Sequence, residues 1–409
     1  MSDRGPGDTG VGAQQDEDER LARLSLSRLV EPGSWPVYDA VQAHGAGQVV
    51  DALRAGRCIG AVTPAVAGGA ALRAQGDDPY GELERLRATG GRLVLPGDAE
   101  WPAHRLTWGR RGSLAAPPLS LHVRGEHPLG QVVEDSVAVV GARAATAYGE
   151  HVAGELGLGL TDRGRTVVSG GAYGIDAAAH RGALASRRGP TVAVLACGVD
   201  VAYPRGNDRL LARVADQGLL VGEHPLGAAP TRVSFLVRNR LIAALSQGTV
   251  VVEAALRSGS LSTAARAHDL DRHVMAVPGP VTSALSSGCH ALLREQQAQL
   301  VTGVREVLAL VGRLGTDDAP PARGPERPRD GLPEVVLRVL DAVPVRGGAG
   351  EATLARDAGV PVLVVQQVLP PLLVAGLVQR SDTGWLLTAL GAQRPAGDGP
   401  GGGPRRPAP

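Results

Sequence analysis

The sequence predicts an α/β protein built on a doubly wound parallel sheet, with a small all-helical unit before it and a winged-helix domain after it. Short, uninterrupted apolar runs recur from residue 136 onward, and amphipathic helical segments separate them. Continuous apolar strands joined by crossover helices form a parallel sheet covered on both faces. A change to Pro, Gly and charged residues near residue 314 marks the end of this unit.

The N-terminal part is predicted to be helical after a short tail. Residues 1–19 are polar and rich in Gly and Asp, which is typical of a disordered tail. Residues 20–90 carry apolar side chains at helical spacing, such as Leu21, Leu24 and Leu29, between short Gly and Pro breaks. This pattern predicts a small all-helical domain, and short strands at 93–95 and 119–123 follow it.

Residues 91–313 are predicted to form an extended Rossmann-like domain of roughly six parallel strands. The apolar runs that predict these strands are 137–140, 166–168, 191–195, 219–221, 249–252 and 273–277. The helices between and after them are predicted at 148–162, 175–186, 207–216, 235–246 and 261–269. Because ligands of open parallel sheets bind outside the carboxyl ends of the strands, the loops after the strands are the candidate site.

The C-terminal part is predicted to be a separate module. Residues 314–330 are rich in Pro, Gly and charge and form a predicted linker. In residues 331–390, helical patterns at 333–343, 352–359 and 361–369 precede a hairpin pattern at 378–387. Three helices and a hairpin predict a winged-helix domain. The Pro- and Gly-rich residues 391–409 are predicted to be disordered.

Composition excludes several kinds of site. The chain contains no lysine, which excludes a Walker lysine, a Schiff base and a lysine general base. Cys58, Cys197 and Cys289 are isolated, so neither a disulfide framework nor a metal site is indicated, and a reducing cytoplasm fits. No membrane span or secretory signal is present, so we expect a cytoplasmic protein without a membrane partner. The net charge of +1 means that any nucleic-acid binding must use a local patch.

The first candidate loop, Gly141-Ala142-Arg143, follows the strand at 137–140. Backbone N–H groups at a Gly turn before a helix can hold a phosphate, and Arg143 would add a planar fork of donors. The alternative is a turn whose glycine is purely steric. The G-x-G-x-x-G spacing is missing and the next strand ends without a ribose-binding acid, so we expect no dinucleotide and no other cofactor.

The second candidate loop contains Gly170, Gly171 and Gly174, which would let the backbone approach a ligand closely. Asp176 and His180 follow it at positions i and i+4 on one helical face. Acid–base chemistry is one reading of this pair. A packing hydrogen bond is the favoured reading, because no nucleophile or metal pattern accompanies it, and we expect no catalytic residue here.

The third candidate segment begins at Phe235, the only phenylalanine of the chain. It is interpreted as a helix capped by Ser234, which places Arg238, Asn239 and Arg240 in the opening turns. A helix N-terminus prefers acidic neighbours, so arginines there indicate a nearby anion, for which phosphate is the natural candidate. The alternative is that both arginines extend into solvent or pair with surface carboxylates.

A fourth segment, after the strand at 249–252, begins a Ser/Thr-rich helix that is either an anion cradle or an ordinary N-cap. Its candidate residues are Ser258, Gly259, Ser260 and Thr263. Arg143, Arg238 and Arg240 would all face the same sheet edge, which predicts a local basic groove. Tyr148, Tyr173 or Phe235 could stack on bases there, although core packing is the favoured role for Phe235.

Together these motifs closely resemble the DNA-processing protein A family, DprA or Smf, over about residues 21–387. The family's Gly-Ser/Thr-Arg motif appears as Gly141-Ala142-Arg143, with alanine replacing the hydroxyl residue, and its F-P-x-R-N-R motif matches 235–240, with Leu236 replacing proline. The other matching stretches are 169–180, 197–198, 203–204, 251–254, 258–261 and 276–279. His290 and the segment 295–298 depart from the family pattern.

The resemblance implies a sequence-independent single-stranded-DNA-binding protein that forms homodimers. It also implies that the protein protects incoming DNA and loads RecA recombinase in natural transformation and recombination. No catalytic reaction is implied.

The sequence offers two alternative functions. A nucleotide phosphoribohydrolase resembling the LOG or lysine-decarboxylase-like family needs a P-G-G-x-G-T-x-x-E loop, and Pro278-Gly279-Pro280 is only a fragment of it. A winged-helix transcription regulator would use the helix at 361–369, which offers Gln366 and Gln367 but no positive charge. A helix that reads a DNA groove normally carries arginine or lysine, so a protein-contact role is favoured for this domain.

Overall fold

The computed structural model describes residues 8–110, 112, 114–312 and 328–392, with side chains from residue 14 onward. The chain divides into two compact units, Met1–Ala319 and Pro320–Pro409. The helices described in the first unit are α1 Asp8–Leu29, α2 Trp35–His44, α3 Ala46–Arg54, α4 Pro64–Arg73, α5 Pro79–Ala88, α6 Ala103–Leu106, α7 Leu129–Glu134, α8 Ala147–Thr161, α9 Ile175–Ser186, α10 Asp208–Gln217, α11 Arg232–Ala244, α12 Gly259–Asp269, α13 Ser287–Arg294 and α14 Val304–Val311.

A nine-stranded sheet organises the described part of this unit. Its strands are β1 Gly91–Val94, β2 Leu121–Arg124, β3 Ser136–Val140, β4 Thr166–Ser169, β5 Thr191–Val194, β6 Leu219–Gly222, β7 Gly248–Val251, β8 His273–Ala276 and β9 Gln299–Leu300. They lie in the order β1-β2-β6-β5-β4-β3-β7-β8-β9. The strands from β3 to β9 are parallel, and β1 and β2 extend the edge at β6 in antiparallel fashion.

The six predicted strands are the parallel strands β3 to β8, so the doubly wound α/β fold is confirmed. From β3 the chain winds outward through β4, β5 and β6, and then returns to β7 on the other side of β3. The strand order therefore reverses between β3 and β7. In open α/β sheets, the carboxyl ends of the strands at such a reversal point form the usual ligand crevice.

Two hydrophobic cores cover the two faces of the sheet. On one face, Leu241, Ile242 and Ala243 of α11 pack with Ala264 and Ala267 of α12, all almost fully buried. On the other face, residues from α8, α9 and α14 pack against the strands. Both faces of the strands are therefore apolar, which is why each strand is a continuous apolar run in the sequence.

The N-terminal helices share a core with the sheet. Leu21 and Leu24 of α1 and Leu83 of α5 pack in the same cluster as Leu211 and Val214 of α10. The helices of residues 20–90 therefore lie in the same compact unit as the sheet.

The tail prediction is wrong where the structure describes the segment, because α1 begins at Asp8, inside residues 1–19. Asp16 lies 3.8 Å from Arg20, and Glu19 lies 2.6 Å from Arg23, measured between their charged atoms. Acid-before-base pairs at i and i+4 stabilise a helix, so acidic residues that resemble a tail in the sequence belong to helix α1. Residues 1–7 lie outside the described residues.

The second unit has the predicted winged-helix elements. Helices α15 Glu334–Ala342, α16 Glu351–Ala358 and α17 Val362–Val374 precede the hairpin of β10 Val378–Ser381 and β11 Gly384–Leu387. Their core includes Leu340, Leu354, Val365, Leu369 and Trp385. Most of the predicted linker 314–330 and of the predicted tail 391–409 lies outside the described residues.

In the described residues no single helix is long and apolar enough to cross a membrane. One pair of helices, α16 and α17, passes that test jointly by length and composition, with a bend of 106° between them.

Candidate nucleic-acid interface

A pocket of about 710 Å³ lies at the carboxyl ends of the strands, where the strand order reverses. Its walls come from the loops after β3 and β4, the start and one face of α11, and the start of α12. Eight of the predicted site residues line it: Gly141, Arg143, Arg238, Asn239, Ser258, Gly259, Ser260 and Thr263. The structure therefore brings together candidates from three separate segments of the sequence.

Five predicted residues do not line the pocket: Ala142, Gly170, Gly171, Gly174 and Arg240. The Ala142 amide donates to the Glu253 carbonyl at 2.7 Å, and the Gly170 amide donates to Asp176 at 3.2 Å. These two N–H groups are already used within the fold, so neither belongs to a phosphate cradle.

Gly174 shapes the first loop from behind. It has a φ of 71°, and a Cβ there would lie 2.4 Å from the Ala142 carbonyl oxygen and 2.6 Å from that of Arg143. Only glycine lets these two loops approach so closely. Gly174 therefore affects the site indirectly, because it allows the Arg143 loop to take its position.

Glu253, which follows β7, holds the loop after β3. Its side chain is 1% exposed, and its carboxylate accepts hydrogen bonds from the Thr146 amide at 2.9 Å and the Thr146 hydroxyl at 2.6 Å. Thr146 in turn caps α8. Gly141 can have no side chain here, because a Cβ would lie 2.5 Å from Ile175. The Arg143 loop is therefore fixed from both sides.

Helix α11 begins earlier than the sequence predicts. Its N-cap is Thr231 rather than Ser234: the Thr231 hydroxyl accepts from the Ser234 amide, and the Ser234 hydroxyl accepts from the Thr231 amide. Arg238 and Arg240 therefore lie in the body of α11, beyond its opening turn. The argument that two arginines sit at a helix N-terminus is wrong, so other geometry must support an anion site.

Arg238 lies in the floor of the pocket and is 6% exposed. Its Nη1 donates to the Gly170 carbonyl at 3.0 Å and also to the Val194 carbonyl. Its Nε is buried without a partner among the described groups. Burial lowers the pKa of Arg238 to about 10, while Asp176 opposes this shift. The guanidinium is still charged at neutral pH, so the pocket has a cation at its floor.

Asp176 and His180 do not form a pair. Asp176 accepts from the amides of Gly170 and Ala172, and burial raises the pKa of its carboxyl. His180 Nδ1 lies 2.9 Å from the Thr191 hydroxyl, and burial lowers the pKa of His180 to about 3. Both side chains therefore make hydrogen bonds within the fold, as the favoured interpretation predicts, but each bonds to other residues and not to the other.

Arg240 lies on another face of α11, away from the pocket. Its Nη2 donates to Glu223 Oε1 at 2.7 Å, and the two side chains are 1% and 8% exposed. Its guanidinium also lies 5.8 Å from the centre of the Trp108 ring. The prediction that Arg240 faces the common basic groove is wrong, because a buried carboxylate from the end of β6 is its partner.

Two helices begin at the pocket. Ser258 caps α12, and Pro230, Thr231 and Arg232 form the start of α11 in the same wall. The side-chain Nδ2 of Asn239 donates to the Gly259 carbonyl at 3.3 Å and joins the two helices. A helix start carries partial positive charge, so both starts favour an anion.

An aromatic and cationic cluster forms one side of the pocket. The Arg143 guanidinium lies 4.5 Å from the centre of the Phe235 ring, and the centres of the Phe235 and Tyr203 rings are 5.7 Å apart. Tyr203 is 39% exposed. Phe235 is half-buried at the pocket, so the prediction that it packs in the core is wrong. Arg143 is exposed and has no carboxylate partner among the described residues.

Sequence reasoning missed Tyr203 and Arg232 as pocket residues. Tyr203 belongs to a recognised dipeptide, Tyr203-Pro204, which could have drawn attention to it. Arg232 has no local signal, because it lies before the helix start that was predicted. Tyr148 is 40% exposed but does not line the pocket, and its hydroxyl donates to the Pro278 carbonyl at 2.7 Å.

The pocket can hold an anion with adjoining flat groups. Arg143, Arg232 and Arg238 supply positive charge against the single carboxylate of Asp176 in its lining. Within the part of the chain that the structure describes, no group of three or more His, Cys, Asp or Glu side chains is placed to hold a metal ion. Guanidinium groups, helix starts and aromatic faces are the chemistry of phosphate and base recognition.

Comparison with known proteins identifies the family. The model of the DNA recombination-mediator protein A family matches residues 92–312. A Mycobacterium tuberculosis protein assigned as DNA processing protein DprA is 44% identical over 382 residues, covering 91% of this chain and 96% of that protein. Protein Smf of Escherichia coli K12 is 39% identical over 306 residues, covering 73% and 76%. The X-ray structure of DNA processing protein A from Streptococcus pneumoniae aligns with a TM-score of 0.58 and 31% identity, covering 72% of this chain and 98% of that one. The chain therefore belongs to the DNA recombination-mediator protein A family.

Proposed function

We propose that this protein binds single-stranded DNA without sequence preference, and that the pocket between α11 and α12 holds one backbone phosphate or a few. The observation that carries the proposal is the convergence of Arg143, Arg238 and two helix starts on one pocket beside two aromatic rings. Arginine forks and free helix amides recognise phosphate oxygens and do not depend on the base.

Preference for single strands follows from the aromatic cluster. Phe235 and Tyr203 are both partly exposed at the pocket, where an unpaired base can reach them. Every base has a flat face that can stack on an aromatic ring, whereas paired bases in a duplex are covered by their neighbours. Binding should therefore be stronger for single strands and show little sequence preference.

A role in loading RecA recombinase on DNA, and action as a homodimer, are further parts of this proposal. They rest on the family membership, as do protection of incoming DNA and participation in natural transformation. Co-sedimentation with RecA in the presence of single-stranded DNA and light scattering of the free protein test the two interactions.

The main experiment is a titration of single- and double-stranded oligonucleotides at several salt concentrations. Arg143→Ala should weaken single-strand binding and make the salt slope shallower by about 0.7, the value for one lost phosphate contact on a single strand. Arg143→Lys should recover part of the affinity, because lysine keeps the charge but loses the fork. An unchanged affinity and slope for both Arg143→Ala and Arg238→Ala would remove the site.

Hydrolysis of nucleotides is the alternative of a different class. The pocket contains Asp176 as its only carboxylate, and that group accepts hydrogen bonds from two loop amides. Both bonds reach one oxygen, Oδ2, and hold the carboxylate against the loop after β4. A nucleotide-hydrolysis assay decides the matter: turnover without DNA affinity would overturn the proposal.

A further inference from the structure

A row of exposed arginines leads away from the pocket along residues 205–213. Arg205 lies in a short 3-10 helix, Arg205–Asn207, and Arg209 and Arg213 lie in α10. The three follow each other at intervals of four residues. Arg209 and Arg213 lie four apart within α10, so they share one face and are about 6 Å apart along its axis, and Arg205 lies in the short helix that leads into α10.

The guanidinium groups of this row are exposed to solvent. Leu211 and Val214 on the opposite side of α10 are buried in the core, which turns the arginines outward. All three are exposed, and none has a carboxylate partner among the residues that the structure describes. Asp208 and Asp216 are the acidic residues of α10: Asp208 accepts from the Arg209 amide at 2.6 Å at the helix start, and Asp216 follows the last arginine.

Two tyrosines connect the row to the pocket. Tyr203 lines the pocket and is 39% exposed, and Tyr173 is 47% exposed. The Tyr173 hydroxyl accepts from the Gly206 amide at 3.2 Å, so this ring lies directly beside the residue that follows Arg205. Exposed aromatic faces that alternate with cations are the typical surface for an unpaired strand.

We infer that a single strand leaving the pocket passes over Tyr203 and Tyr173 and continues along α10, where Arg205, Arg209 and Arg213 contact successive phosphates. This inference rests on the proposed function of the pocket. The tyrosines hold unpaired bases, and the arginine spacing follows an extended backbone. The row ends at Asp216, which limits the track to the length of α10.

The test compares two oligonucleotide lengths with the double variant Arg209→Ala/Arg213→Ala. A strand of about three nucleotides occupies the pocket alone, and a strand of about twenty nucleotides also covers the row. For the longer strand the salt slope should become shallower by about 1.4, because two phosphate contacts are lost, and affinity should fall several-fold. The shorter strand should bind unchanged. Arg209→Glu/Arg213→Glu should enlarge the loss for the longer strand only.

The matched control is Arg163→Ala/Arg305→Ala, which removes the same charge from exposed arginines in a groove between the end of α8 and the start of α14. This groove shares no lining residue with the pocket or with the arginine row, so both lengths should bind normally. An unchanged slope for the longer strand in the α10 variants, or an equal loss for both lengths, overturns the inference. Arg143→Ala separates the two proposals: if it leaves both lengths unaffected, the pocket proposal fails instead.

Discussion

Replacing Arg240 with methionine is expected to destabilise the protein without changing the way it binds DNA. The change leaves the Glu223 carboxylate, which is 8% exposed, without its 2.7 Å partner. Removing one member of a buried ion pair costs about 3–5 kcal/mol, because the remaining charge is desolvated and uncompensated. For a domain of this size each kcal/mol corresponds to roughly 2–4 °C, so the unfolding midpoint should fall by about 10 °C.

Thermal unfolding followed by circular dichroism measures the first effect, and oligonucleotide titration well below the midpoint measures the second. Arg240→Met/Glu223→Met should recover much of the lost stability, because apolar side chains of similar volume can replace a buried pair. The salt slope should match that of the unaltered protein in both variants. A slope shallower by about 0.7 with unchanged stability would instead place Arg240 on a phosphate and refute the assignment to Glu223.

Four further predictions concern the pocket, the fold and the second unit. Phe235→Leu should weaken single-strand binding by about 1–3 kcal/mol per lost stacked base without altering the salt slope, and a changed slope would contradict a stacking role. Gly174→Ala should displace the Arg143 loop, because its Cβ would lie 2.4 Å from the Ala142 carbonyl, and should lower both affinity and the unfolding midpoint; a variant that matches the parent in both would argue against that constraint. Burial lowers the pKa of His122 to about 4. Above about pH 6.5 the histidine is neutral in both the folded and the unfolded protein, so its titration does not affect stability. Between about pH 6.5 and pH 4 the unfolded state takes up a proton that the folded state excludes, so the free energy of unfolding should decrease. His122→Phe should make that part of the stability profile shallower in urea titrations, while His180, whose pKa burial also lowers, retains part of the decrease; an unaltered profile would assign the whole loss to other groups. Truncation after Gly315, a position outside the described residues, should leave a folded protein whose affinity falls by less than about tenfold, or 1.4 kcal/mol; a folded fragment without affinity would transfer DNA binding to the winged helix.

The sheet could be predicted because burial on both faces makes each inner strand a continuous apolar run. The pattern fails where this cause is absent. Strand β9 has two residues, and both are exposed, so no apolar run marks it. In α17, Pro370 and Pro371 lie inside the helix, whereas the sequence prediction ended the helix at Leu369.

The site was predicted in part, and α11 shows why. Thr231 and Ser234 are both residue types that cap helices. In the structure they form one capping box at the start of α11, in which Ser234 takes the position that usually holds Glu or Gln. Choosing Ser234 moved the helix start by three residues and placed both arginines near it. The partner of Arg240 is Glu223, 17 residues away in the sequence, and no local pattern connects the two.

The regular winding of α11 restricts how the length of this protein can vary. Arg238 and Arg240 are separated by about 200° around the helix axis, so one turns to the pocket and the other to the buried carboxylate. A single residue inserted or deleted between Thr231 and Arg238 would rotate the helix start by about 100° relative to Arg238 and Arg240, so the start and the two arginine contacts could not all keep their places. The loop before Thr231 has no helical phase to keep, although hydrogen bonds from Leu226 to Glu82 and from Gly227 to Asp200 fix its middle. Insertions and deletions should therefore be tolerated between Ala228 and Thr231 and excluded from the helix.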